Sequence, residues 1–158
     1  MSRQRVRGVR LAGGILVAVI LAIAWIFTRQ WLEPPGVPYS VVKSVASEDV
    51  HIVARGHDSS PSNDWEDSYV LLKVSPGEDP VGDIDSALRS AGWKTSTGGA
   101  APLLLSGDKS ADKAKYGVTV LNYEDFECLD RPQLCDGFKN AAKGHDGSLF
   151  VATFMPYV

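Results

Sequence analysis

The chain has 158 residues, of which 44% are hydrophobic, and its formal net charge at pH 7 is −3. That value combines a basic start with an acidic remainder: residues 34–158 contain 11 Lys and Arg against 18 Asp and Glu, a net charge of −7. An acidic surface argues against binding to nucleic acid or to anionic lipid headgroups, since both require clustered basic residues. The acidic part has the length of one small domain.

A transmembrane helix is predicted over residues 11–27, where the sequence LAGGILVAVILAIAWIF contains no charged side chain. At ~1.5 Å per residue this helix is ~26 Å long, close to the minimum for a ~30 Å hydrocarbon core. Residues 1–10 carry four arginines and no acidic residue, so the positive-inside rule places this basic tail in the cytoplasm. We therefore expect a signal-anchor in the plasma membrane, with everything after it on the extracytoplasmic side.

The same segment has two further interpretations. A signal peptide cleaved after Ala24 also has a basic start, an apolar stretch and a small-x-small site, here Ala22-x-Ala24. The apolar run continues past that site to Phe27, which favours an uncleaved anchor. Gly14, Ala18 and Ala22 fall on one helix face at a spacing that lets two membrane helices pack closely, so pairing of two anchors is also open.

Residues 28–38 are predicted to form an extended linker, because Pro34, Pro35 and Pro38 disfavour both helix and sheet. Residues 39–158 then form the extracytoplasmic domain. Its first part, residues 39–49, fits either a helical turn or a strand, since its valines favour strands but recur at a helical spacing.

The rest of the domain predicts alternating strands and helices. Residues 69–74 are apolar at almost every position, which indicates a strand buried on both faces. Asp79, Pro80 and Gly92 provide the cap, the first position and the stop of a helix. A second helix is predicted from Pro132 to Gly144. Further strands are predicted over residues 50–54, 93–97, 116–123 and 149–154, with a short return to the sheet at 103–105, a loop over 57–67 and a charged turn over 106–115.

From residue 69 onward the predicted order is strand, helix, strand, strand, helix, strand, which is the order of a ferredoxin-like α+β domain. We therefore predict an antiparallel sheet with two helices on one face. The strand over residues 50–54 would lie beside the strand over 149–154, because an apolar edge strand needs cover.

Two Gly-His-Asp tripeptides are the candidates for chemistry. His57 with Asp58, and His145 with Asp146, each place an imidazole beside a carboxylate, a combination that serves as an acid–base pair or as metal ligands. Neither tripeptide has a third ligand close by in sequence. Gly and Asp are also ordinary turn residues, so polar turns are the alternative.

The sequence contains no nucleophile-elbow or phosphate-loop motif, and we predict no catalytic activity, cofactor or metal. The predicted function is therefore a membrane-tethered domain that binds or senses an unknown protein partner. The alternative is a small metal-assisted hydrolase, which requires the two Gly-His-Asp tripeptides to meet in the folded domain.

The two cysteines, Cys128 and Cys135, are predicted to form a disulfide, because the expected orientation places both on the oxidising side of the membrane. Closing so short a loop stabilises the fold by about 2–3 kcal/mol on the chain-entropy account. Mass spectrometry of non-reduced protein, alkylated during extraction, should show both cysteines unlabelled until a reductant is added. Two free thiols on protein taken directly from the membrane would contradict the bond.

The signal-peptide alternative has its own test. A mature N-terminus at Trp25 would show that the chain is cleaved after Ala24.

Overall fold

The structure, a computed structural model of the chain, describes residues 18–25, 36–59, 65–111, 113–127, 131–145 and 147–157. The chain divides into two compact units, Met1–Pro34 and Pro35–Val158. In the first unit, residues 18–25 form a helix, α1. Within the described part of the chain, no helix has both the length and the apolar character needed to cross a membrane. The span predicted over residues 11–27 extends beyond the described residues at both ends and stays a prediction.

The second unit is an α+β domain built on one antiparallel sheet of six strands. Its strands are β1 (Val50–Ser59), β2 (Glu66–Val74), β3 (Lys94–Thr97), β4 (Leu105–Ala111), β5 (Ala114–Asn122) and β6 (Ser148–Tyr157). Its helices are α2 (Tyr39–Lys43), α3 (Pro80–Ser90) and α4 (Pro132–Ala142), with a 3₁₀ turn at Tyr123–Asp125. The strands are arranged in the order β1-β2-β6-β5-β4-β3. β6 therefore joins the β1–β2 hairpin to the meander formed by β3, β4 and β5.

Helix α3 begins and ends where the sequence predicts. The Asp79 side chain accepts a hydrogen bond from the backbone N–H of Gly82 at 2.9 Å, which satisfies one of the donors left free at a helix start. Gly92, just after the helix, has a φ of 86°, a conformation that favours glycine. Between these signals Ile84 and Leu88 face the sheet and are fully buried, so this prediction is confirmed.

The two long helices cover opposite faces of the sheet. Along β2, Val70 and Leu72 belong to the core under α2 and α3, whereas Tyr69 and Leu71 belong to the core under α4. The prediction that both helices lie on one face is therefore wrong. The physical reason lies in β2 itself, since a strand with apolar residues at every position needs cover on both sides.

The strand neighbours also differ from the ferredoxin-like prediction. We expected β1 beside β6, but β1 pairs with β2, and β6 lies between β2 and β5. The ferredoxin-like arrangement is therefore wrong, although the α+β class and the antiparallel sheet are confirmed. The apolar character of β6 on both faces is that of a central strand, which does not need the edge cover that we proposed for it.

The segment over residues 106–115, predicted as a charged turn, belongs instead to β4 and β5. Lys109 points toward the side of the sheet that α3 covers, where its Nζ donates a hydrogen bond to the carbonyl oxygen of Ala91 at 2.6 Å. The Lys109 Nζ also lies 5.9 Å from the centroid of the Trp93 ring. This lysine satisfies a carbonyl at the end of α3 that has no partner within the helix. A charged residue at an inward position hides the alternation that would have predicted a strand.

Residues 39–49, for which the sequence left helix and strand open, contain the short helix α2. Val41, Val42 and Val45 are buried in the same core as α3. The hydroxyl of Ser44 accepts a hydrogen bond from Nε1 of Trp93 at 3.2 Å, so a polar contact also fixes this segment beside the end of α3.

Replacing Leu88 by alanine should lower the free energy of unfolding by about 2–5 kcal/mol, because its side chain is fully buried and its removal leaves a cavity. Ser90→Ala, at an exposed position of the same helix, is the control and should change that energy by less than about 0.5 kcal/mol. Urea unfolding followed by circular dichroism measures both. Equal effects of the two substitutions would contradict the docking of α3 on the sheet.

Candidate functional site

The two Gly-His-Asp tripeptides do not come together. His57 lies on β1, opposite Ser68 of β2. His145 lies three residues before β6, whose first residue pairs with Val74 at the other end of β2. Ser68 and Val74 are six positions apart on β2, which at ~3.3 Å per residue separates them by about 20 Å. The two histidines therefore lie near opposite ends of this strand. Asp146 lies outside the described residues.

The partner of His57 is a neighbouring serine. Nδ1 of His57 and Oγ of Ser68 lie 3.2 Å apart, a pairing that in some enzymes joins a base to a nucleophile. Ser68 is only 2% exposed, so its hydroxyl is closed to a substrate. In the described ranges, no group of three or more His, Cys, Asp or Glu side chains could hold a metal ion. The geometry that a metal-assisted hydrolase requires of His57 and His145 is therefore not formed.

A cluster of polar side chains lies where α4 begins, and we call Asp58, Asp67, Tyr69 and Arg131 the Arg131 cluster. Asp58 and Asp67 are directly opposite each other on β1 and β2. Tyr69 lies two residues further along β2, on the same face of the sheet. Arg131 immediately precedes Pro132, the first residue of α4. The cluster therefore connects the β1–β2 hairpin to the start of the helix that covers it.

Arg131 contacts two members of the cluster directly. Its Nε atom lies 2.5 Å from Oδ2 of Asp58, and its guanidinium carbon lies 5.1 Å from the centroid of the Tyr69 ring. The two side chains of the ion pair are 24% and 34% exposed. A charge pair partly withdrawn from water interacts more strongly than one on the open surface, so this contact fixes the start of α4 against β1.

Asp67 is the cluster member that lacks a full set of partners. It is 7% exposed, and among the described residues its Oδ1 atom has no hydrogen-bond partner. Burial raises the pKa of Asp67 above its usual value; the charge of Arg131 and a hydrogen bond from Tyr69 oppose this rise, and the charge of Asp58 adds to it. Burial likewise raises the pKa of Tyr69. One guanidinium thus serves two carboxylates.

A cavity of about 220 Å³ opens beside the cluster. It is lined by His57, Asp58, Arg131 and the first residues of α4, Pro132, Gln133 and Leu134. The walls offer one imidazole, one ion pair and the start of a helix.

Sequence reasoning identified His57 and Asp58 but missed Asp67, Tyr69 and Arg131. A signal for Asp67 was present, because the spacing Asp67-x-Tyr69-x-Leu71 places the carboxyl on the apolar face that α4 covers. The loop predicted over residues 57–67 hides this signal; that prediction is wrong at both ends, because β1 extends to Ser59 and β2 begins at Glu66. No local signal marks Arg131, whose partners lie far away in the sequence.

A second surface is the part of the sheet that α4 leaves uncovered. The core under α4 contains residues of β1, β2 and β6, but none of β3 or β4. On the same side of the sheet Ser96, Ser106, Thr119 and Thr153 are successive cross-strand neighbours on β3, β4, β5 and β6. We call these four residues together with Tyr157 the hydroxyl face. Because neighbouring strands lie ~4.8 Å apart, the four hydroxyl-bearing side chains form a row about 14 Å long.

Tyr157 contributes the aromatic ring of the hydroxyl face and is 56% exposed. A Cβ atom at position 117 would lie 2.7 Å from the Tyr157 hydroxyl oxygen, so Gly117 is needed for the ring to lie against the sheet. A groove of about 350 Å³ is lined by this ring, by Lys94 and Asp108, and by hydroxyl-bearing side chains. The surface thus combines hydrogen-bond donors, acceptors and one aromatic ring.

No family model, curated protein or solved structure matches this chain. The geometry of the Arg131 cluster and of the hydroxyl face is therefore the basis on which a function can be assigned.

Cys135 lies in the first turns of α4 and is not a free thiol. Its expected partner, Cys128, lies outside the described residues. The disulfide between them stays a prediction, with the mass-spectrometric test given above.

The contact between Arg131 and Asp58 should contribute about 1 kcal/mol of coupling to the free energy of unfolding, since both side chains are partly buried and close. A double-mutant cycle with Arg131→Ala and Asp58→Ala, measured by urea unfolding, gives this coupling. The matched control is the i,i+4 pair Arg89 and Asp85 on α3, whose side chains are 57% and 18% exposed and whose coupling should be about 0.3–0.5 kcal/mol. A smaller coupling for Arg131 than for Arg89 would show that the cluster does not fix α4.

Proposed function

We propose that this is a single-pass membrane-anchored protein whose extracytoplasmic domain binds a partner protein through the hydroxyl face. The observation that carries the proposal is the uneven cover of the sheet. One face is covered by α2 and α3 and half of the other by α4, while the row from Ser96 to Thr153 faces outward. A half-covered antiparallel sheet with an ordered polar surface is a suitable platform for recognition.

The anchor is supported by the sequence and by the character of α1. Residues 11–27 contain no charge, and four arginines precede them without an acidic residue. In α1 the large apolar side chains are between 48% and 69% exposed, with Leu21 at 64% and Trp25 at 69%. Exposed apolar groups in such number favour contact with lipid or with another apolar surface. The arginines then direct the domain to the extracytoplasmic side.

The chemistry of the hydroxyl face indicates the kind of partner. Lys94 and Asp108 are cross-strand neighbours of opposite charge, although residues 34–158 as a whole carry a net charge of −7. Recognition there depends on hydrogen bonds and on the Tyr157 ring rather than on a strong field, and tyrosine is enriched at protein interfaces. A folded protein with a polar surface fits this face, whereas a strongly charged polymer does not.

Site-specific photo-crosslinking in intact cells tests this proposal. A photoreactive amino acid in place of Thr119 should give a discrete adduct, because that residue lies in the middle of the hydroxyl face. The same amino acid in place of Ser90, an exposed residue on the helix that covers the opposite face, is the control and should give none. Tyr157→Ala should abolish the adduct formed from position 119, and the protein should fractionate with membranes.

Two results would contradict the proposal. Adducts of equal yield from positions 119 and 90 would mean that the hydroxyl face has no specific partner. Recovery of the full-length chain in the soluble fraction would contradict the proposed membrane anchor.

A further inference from the structure

The Arg131 cluster contains two carboxyl groups and one guanidinium in a small, partly buried volume. Asp58 and Asp67 lie directly opposite each other on neighbouring strands, a placement in which like charges repel. The guanidinium of Arg131 is already in contact with Asp58. Asp67 is left 7% exposed, with one carboxyl oxygen that has no hydrogen-bond partner in the described part of the chain. An ionised carboxylate in that position raises the free energy of the folded state, because burial removes its hydrating water and the protein replaces only some of the lost hydrogen bonds.

Each element packed around Asp67 contributes one charged or polar side chain that affects the ionisation of its carboxyl group. β1 contributes Asp58, which disfavours the ionised form of Asp67. β2 contributes Tyr69, whose hydroxyl donates a hydrogen bond to the carboxyl, and the start of α4 contributes Arg131; both favour the ionised form. Burial is the largest influence and disfavours it. The balance of these groups favours the protonated acid above the pH at which an exposed aspartate would lose its proton.

We propose that Asp67 is a proton-responsive clamp between α4 and the β1–β2 hairpin, which tightens when the carboxyl takes up a proton. Protonation removes the repulsion from Asp58 and leaves the guanidinium of Arg131 wholly to the Asp58 carboxylate. Loss of the proton leaves two carboxylates competing for one guanidinium. The start of α4, and with it the cavity lined by His57 and Gln133, therefore responds to the acidity of the surrounding solution.

The direction of the pH dependence follows from the folded and unfolded pKa values. In the unfolded chain Asp67 titrates near its ordinary value of 3.8, and in the folded domain its pKa is higher. Between these two values the folded state binds more protons, so Asp67 contributes a stability that is lost as pH rises through the folded pKa. Aspartates whose pKa is lowered on folding, such as Asp85 on α3, act in the opposite direction.

Urea unfolding of the full-length protein between about pH 4 and about pH 8 tests the clamp. Asp67→Asn, which keeps the shape of the side chain and cannot ionise, should raise the urea midpoint at the upper end of this range and leave it unchanged at the lower end. Asp136→Asn, at an exposed position of α4, is the control and should retain the wild-type pH profile. Asp58→Asn removes the repelling charge and frees Arg131, so it should shift the titration of Asp67 to lower pH.

A second measurement keeps the proposal testable if Asp67→Asn fails to fold. Carbon-13 NMR of the Asp67 carboxyl in wild-type protein should give a titration midpoint above 3.8, with a simultaneous shift in the guanidinium signal of Arg131. A midpoint at or below the ordinary value would overturn the proposal. So would identical pH profiles for wild-type protein and Asp67→Asn, or a titration of Asp67 that Asp58→Asn does not move.

Discussion

The domain depends on a pair of central strands, β2 and β6, that bury side chains on both faces. Leu71 and Val151 lie under α4, while Leu72 and Ala152 lie in the core under α3. Neither strand is stable with one face in water, because each such residue would lose the free energy gained by burial. Two layers of helix are therefore required, and the positions of α3 and α4 follow from this requirement.

The two faces are closed by different means. The core under α2 and α3 is extensive and almost wholly apolar, with Trp93 packed edge-on against Phe154 at 5.5 Å between centroids. The core under α4 is smaller, and the Tyr69 and Phe138 rings each lie about 6 Å from the Phe126 ring. Because the apolar contact is small, polar groups contribute a larger share of the free energy that holds α4 on the sheet. The partly buried Arg131 cluster can therefore contribute more to the stability of α4 than an ion pair on the open surface.

The apolar segments were the part of the fold that the sequence predicted well. The cap at Asp79, the stop at Gly92 and the strand over residues 69–74 carry their signals locally, and all three are confirmed. The strand order could not be predicted in this way, because it depends on contacts between residues far apart in the sequence. The strand predicted over residues 116–123 corresponds to most of β5. The sequence predicts a charged turn where most of β4 lies, because Lys109 faces inward and donates a hydrogen bond at the end of α3, which breaks the expected alternation.

The candidate site shows the same division between local and distant information. His57 and Asp58 were singled out because they are adjacent in the sequence, but their structural partners are Ser68 and Arg131. The sequence predicts a loop for both residues, whereas they lie on β1, and the imidazole and the carboxylate have separate partners. The feature that distinguishes Asp67 is its burial without a full set of partners, and burial of one polar group under a helix is a property of the whole fold.

The central position of β6 has a consequence for the way the domain assembles during synthesis. β6 is the last strand in chain order, yet it completes the hydrogen bonding of both β2 and β5. Until it is available, the β1–β2 hairpin and the β3–β5 meander each present an open, largely apolar strand edge, and open edges recruit strands from other chains. Contacts between distant segments also form slowly. A nascent chain that pauses before residue 148 is therefore exposed to misassembly, and a chaperone that shields β2 and β5 would act at the most vulnerable stage.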